Sequence, residues 1–70
     1  MKTDHLIVMA NQIGNFFNSY PDQDRAQKEI ATHLRKFWAP EMRNSIKEIV
    51  VKKKPNDLNS NVVDAIKKYL

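Results

Sequence analysis

Few groups in this chain could do chemistry, and they do not converge. The two histidines, His5 and His33, are 28 positions apart, and neither has a carboxylate at metal-ligand spacing. Glu29, Glu41 and Glu48 read as solvated helix charges rather than as an acid pair for hydrolysis. One glycine, Gly14, is too few for a loop that cradles phosphate, and the absence of cysteine excludes disulfides and thiolate metal sites. No cofactor site is expected. What remains is recognition chemistry, concentrated in residues 30–43, IATHLRKFWAPEMR. This stretch holds the only Trp, and Arg35, Lys36 and Arg43 flank Pro40. A planar guanidinium can donate two parallel hydrogen bonds to a carboxylate or phosphate. Trp38 and Met42 would add an aromatic ring and a thioether beside those cations.

The elements that position this cluster are helices. Proline lacks an amide hydrogen and disfavours helical geometry in the residue before it, so Ala39-Pro40 is a corner, with Pro40 opening the next helix. The first helix is expected over residues 4–19, where Leu6, Met9, Ala10, Ile13, Phe16, Phe17 and Tyr20 recur at helical spacing. Its other face carries Asn11, Gln12, Asn15 and Asn18, and no Asp, Glu, Lys or Arg occurs from His5 to Tyr20. Depletion of charge marks interface cores. Asn11 and Asn15 are therefore candidate partner-binding residues together with Arg35, Lys36, Trp38, Met42 and Arg43. Gly14, mid-helix beside the apolar stripe, costs about 1 kcal/mol relative to alanine and suggests close approach of another backbone.

After a turn at Tyr20-Pro21-Asp22, Asp24 and Gln27 fit a capping box for a second helix over residues 24–38. Ala26, Ile30, His33, Leu34 and Phe37 share its apolar stripe, which makes His33 a structural histidine and puts Phe37 at the stripe's centre. Trp38 projects roughly 90° away, either under the third helix or outward as an interface anchor. The third helix, residues 40–51, buries Met42, Ile46, Ile49 and Val50. Residues 52–57, KKKPND, form a loop; Leu58, Asn59 and Val63 then suggest a cap with a hydrophobic staple. The last helix shows Val62, Val63, Ile66, Tyr69 and Leu70, with Asp64 and Lys68 placed for an ion pair. The expected architecture is one all-α domain over residues 1–70, a bundle of three main helices plus a short C-terminal fourth.

At 70 residues the core is small, and good helix packing or a partner must supplement it. No secretory signal and no membrane span is expected, which points to a cytoplasmic protein without membrane contact. The net charge of +4 conceals an asymmetry: residues 1–24 carry −2, residues 25–54 carry +6, and residues 55–70 are neutral. A basic middle suits acidic protein surfaces or nucleic acid. A small basic nucleic-acid-binding module is the alternative class, disfavoured because the cations scatter over helix faces and residues 40–51 make a short recognition helix.

MANQIGNFF (residues 9–17) and HLRKFWAPEMR (residues 33–43) resemble the delta subunit of soluble, NAD-dependent, molybdenum-containing formate dehydrogenases. Those proteins show a similar Met-Ala-Asn-Gln-Ile helix and a similar His-Leu-Arg-Arg-Phe-Trp-Asp-Pro-x-Met-Arg corner. The likeness covers about the first 50 residues well and the tail more loosely; the corner motif is the more specific of the two. Ala39 stands where the family usually has Asp, and Glu41 where a basic residue is common. The resemblance implies a non-catalytic accessory subunit bound to a large catalytic subunit, aiding its assembly, cofactor insertion or stability. In that complex, formate is oxidised at a molybdopterin centre, and electrons pass through iron–sulfur clusters and flavin to NAD. On this reading Arg35, Lys36 and Arg43 would pair with acidic groups of the large subunit or with phosphates of its cofactor.

Overall fold

The computed structural model describes residues 3–52 and 57–70, with Thr3 described in backbone only. Four helices follow one another: α1 Thr3–Phe17, α2 Gln23–Phe37, α3 Pro40–Val51 and α4 Ser60–Tyr69. Among the described residues there is no strand, as expected of an all-α bundle. The expected loop at 52–57 falls mostly outside the described residues. Leu6, Ala10, Ile30, Leu34, Trp38, Ile46, Val50, Val62, Ala65 and Ile66 form one buried cluster with contributions from every helix.

Each boundary has a local cause. Asp22 caps α2, its carboxylate accepting from the Asp24 and Arg25 amides at 3.0 and 3.3 Å. The cap lies two residues before the one expected at Asp24. Gln27, freed from a capping box, is buried instead. α2 ends because Trp38 leaves the helix with φ −92° and ψ 140°, and Ala39 is also extended ahead of Pro40. Arg43 on α3 then reaches back, donating to the Arg35 and Trp38 carbonyls at 3.0 and 2.8 Å. A cation thus sits on the otherwise unpaired carbonyl end of α2.

α2 and α4 make the most extensive contact in the bundle. Tyr69 of α4 donates its hydroxyl hydrogen bond to Asp24, and Lys28 pairs with the same carboxylate at 3.3 Å. Lys68 contributes its charge to Asp24, and the expected Asp64–Lys68 pair does not form; Lys28–Asp24 is the one ion pair among the described residues.

α1 meets α4 through Gly14, which is buried. A Cβ there would lie 2.5 Å from Val62 Cγ2 and 2.9 Å from Asn61 Oδ1, while the Asn61 amide donates to the Gly14 carbonyl at 2.9 Å. The close approach expected at this glycine is therefore made by side chains of α4. Leu58 and Val63 flank the cap of α4, and both are partly buried against the core, as a staple requires. Asn59 is the N-cap residue, yet its side chain makes no capping bond. It donates instead to Asn15 Oδ1 at 2.9 Å, and its backbone amide donates to Asn11 Oδ1 at 2.8 Å. Asn11 Nδ2 donates to the Asp57 carbonyl at 2.7 Å. An amide ladder thus fastens the start of α4 along α1.

Two expectations follow. Gly14→Ala gains about 1 kcal/mol of helix propensity but drives a methyl into the fully buried Val62, an overpacking cost of about 1–3 kcal/mol. Chemical denaturation should show net destabilisation, and a double-mutant cycle with Val62→Ala should recover much of it. The Asp24–Tyr69 link should appear in the pH dependence of stability. The tyrosine hydrogen bond, chief among the causes, holds the Asp24 carboxyl below its ordinary 3.8, and the same bond raises the Tyr69 phenol above its ordinary 10.0. The Asp24 contribution is present above that carboxylate value and disappears as pH falls through the depressed folded value. The Tyr69 contribution is present below pH 10.0 and is lost as pH rises through the raised folded value. Denaturation midpoints of wild type and Tyr69→Phe should differ by a constant amount between these limits and converge outside them.

Candidate docking surface

Each polar residue singled out in the sequence has a definite place. Arg43 is spent on the carbonyls that end α2, and Arg35 donates to the Tyr69 carbonyl and, at 3.5 Å, to Thr32 Oγ1. Both guanidiniums therefore work inside the chain, tying α2 to α3 and to α4. Asn11 and Asn15 belong to the amide ladder at α4. Met42 is half-buried against the core. Lys36 is exposed and makes no ion pair among the described residues. The seven residues do not form one patch.

Of the two aromatic residues at the corner, Trp38 takes the buried one of its two expected places, and Phe37 is not at the centre of the core stripe as expected. Trp38 is 5% exposed and Phe37 is 71% exposed. The buried face of α2 is made by Ala26, Gln27, Ile30, Ala31 and Leu34, which centres it further round than a stripe drawn through His33 and Phe37, and Trp38, the C-cap, continues that face one turn after Leu34. Phe37, the last helical residue, lies toward the His33 edge of α2, and its ring stays largely exposed with the His33 ring beside it.

Beside His33 and Trp38 lies a feature not expected from the sequence. An open groove of about 410 Å³ runs between α1 and α2, lined by Met9, Gln12, Ile13, Phe16, Phe17, His33 and Trp38. Phe16 stands at its edge, 72% exposed, with its ring edge-on to Phe17 at a centroid distance of 5.0 Å. His33 also lines the groove, half-exposed rather than buried in the core stripe, and its ring leans on Phe37 at 4.7 Å. The signal was present in the sequence as the uncharged run His5–Tyr20. What could not be read was how α1 divides that run. Leu6 and Ala10 face the core, Asn11 and Asn15 face α4, and Met9, Gln12 and Phe16 face the groove.

This arrangement offers surface for binding. Among the described residues no three His, Asp or Glu side chains are grouped to hold a metal ion. The groove offers apolar surface and two polar side chains, Gln12 and His33. Large exposed aromatics beside a concave apolar surface mark protein contact sites.

Thermal or chemical melts should separate the two corner aromatics. Trp38→Ala should cost about 3–5 kcal/mol as a buried aromatic truncation. Phe37→Ala should change stability by about 0.5 kcal/mol or less, as at an exposed site. Equal loss in both variants would contradict the placement of Phe37.

No helix among the described residues is long and apolar enough to cross a membrane. No curated protein and no solved structure matches the chain. The family model for the NADH-dependent formate dehydrogenase delta subunit FdsD matches residues 5–66, which takes in both helices of the groove, the Pro40 corner and most of α4. A match over that much of the 70 residues places the chain in a family: it belongs to the formate dehydrogenase delta subunits.

Proposed function

We propose that this protein is a non-catalytic accessory subunit that docks on the large catalytic subunit of an NAD-dependent formate dehydrogenase in the cytoplasm and stabilises it during assembly or cofactor insertion. The observation that carries this reading is the pair of bulky rings, Phe16 and Phe37, left more than two-thirds exposed beside an apolar groove in a chain with little core to spare. A small monomer gains nothing in stability from such rings in water, whereas an interface gains from burying them. Family membership supplies the identity of the complex. A nucleic-acid role is less well supported, since Arg35 and Arg43 are engaged with backbone carbonyls and only part of the basic middle segment is left to meet phosphates.

Binding to the native state alone must raise apparent stability by mass action, about 2.7 kcal/mol at a partner concentration a hundredfold above Kd. The chain should therefore co-purify with the large subunit on co-expression, and its denaturation midpoint should rise when that subunit is added. A midpoint indifferent to saturating large subunit would refute the accessory role. Adding the chain should raise the yield or molybdenum content of the large subunit, whereas the chain alone should not oxidise formate.

A further inference from the structure

The geometry points to a specific occupant for the groove between α1 and α2: an amphipathic helix of the partner, with bulky apolar residues on one face and acidic residues beside them. This proposal rests on the accessory-subunit reading and adds where the contact is made and what chemistry makes it.

The apolar requirement comes from the lining. Met9, Ile13, Phe16 and Phe17 on α1 face His33 of α2 and the edge of Trp38, and Phe37 lies against the ring of His33. Two helices side by side leave a trough, and a third helix fits such a trough with residues at i, i+3, i+4 and i+7 as anchors. The acidic requirement comes from what borders it. Gln12 and His33 line the groove with no hydrogen-bond partner among the described residues, so covering them with a purely apolar surface would strand polar groups. A carboxylate can accept from both the Gln12 amide and an imidazole N–H. Lys36, next to Phe37 and exposed, has no ion pair, and His5 stands one turn before Met9 on the exposed side of α1. Glu29, one turn before His33, is the carboxylate on that edge of α2 and lies away from the Phe37 end. Acidic residues of the occupant therefore belong near Phe37, His33 and Lys36.

A second copy of this chain is the poorer fit. Each copy carries a net charge of +4, and the same donors would face one another across a two-fold axis. A partner acidic at this place is attracted by that charge.

Trp38, the only tryptophan, lines the groove and reports its occupancy by its emission. The full chain would be titrated with a designed helical peptide of about five turns, Leu at the four anchor positions and Glu beside them. A second peptide would carry Lys in place of every Glu. The expected result is a saturable change in Trp38 emission with the Glu peptide, weakened by added salt, and affinity at least about tenfold lower for the Lys peptide. Phe16→Ser/Phe37→Ser, which alters only exposed rings and so leaves helicity unchanged, should lower affinity for the Glu peptide by about tenfold or more. Equal binding of both peptides, no binding of either, or unaltered binding by the double variant would overturn the proposal. So would a concentration-dependent dimer that disappears in the variant, which would assign the groove to a second copy. The large subunit separates the two levels of inference. If wild type and Phe16→Ser/Phe37→Ser co-purify with it equally, the groove proposal fails and the accessory role stands; if wild type does not co-purify, the accessory role fails as well.

Discussion

The rest of this structure depends on the break in the chain at Ala39-Pro40. Proline cannot donate the hydrogen bond that would continue α2, and it holds the preceding residue extended. Three consequences follow within a few residues. Trp38 becomes the C-cap with its indole buried in the core, Phe37 is left as the last helical side chain with its ring largely exposed, and α3 starts at an angle that brings Arg43 back to the carbonyls of α2. One backbone constraint thus supplies a core anchor, an exposed ring and a helix cap. Ala39 gives α3 no side-chain cap, and Pro40 at the first helical position is what favours that helix start.

A second constraint sets what α1 can offer a partner. Gly14 lets Asn61 and Val62 of α4 come within what would be clashing distance of any larger residue, and the Asn11, Asn15 and Asn59 amides hold that approach in register. Docked in this way, α1 covers α4 with one side and the core with another. The side left over carries Met9, Gln12 and Phe16 and forms one wall of the groove. The apolar surface that this chain presents is therefore a consequence of how its internal contacts are satisfied, because Asn11 and Asn15 of α1 are drawn towards α4.

Helical periodicity was enough to read the four helices, the Pro40 corner and most of the core, because buried positions such as Leu6, Ala10, Ile30, Leu34 and Ile46 repeat at the spacing of a helix face. The close contact at Gly14 was also legible, since a mid-helix glycine has a cost that invites a packing reason. The site was less so. An apolar stripe drawn through His33 and Phe37 set the centre of α2's buried face too far to one side, so it could not show that Gln27, Ala31 and Trp38 lie within that face and that the Phe37 ring is left exposed. Nor does composition reveal that an arginine is occupied by a carbonyl three-dimensionally adjacent, as for Arg35 and Arg43. An uncharged helix face can mean an amide network or an open interface, and α1 turns out to contain both.

The central claim, that the groove between α1 and α2 is the surface covered in the complex, is tested most directly by hydroxyl-radical footprinting of the free chain and of the chain within the assembled formate dehydrogenase. Oxidation of Met9, Phe16 and Phe37 should fall sharply on assembly, while exposed Val51, on a different helix, stays as reactive as before. Undiminished oxidation of Phe16 and Phe37 in the intact complex, with protection appearing on α3 or α4 instead, would contradict the account.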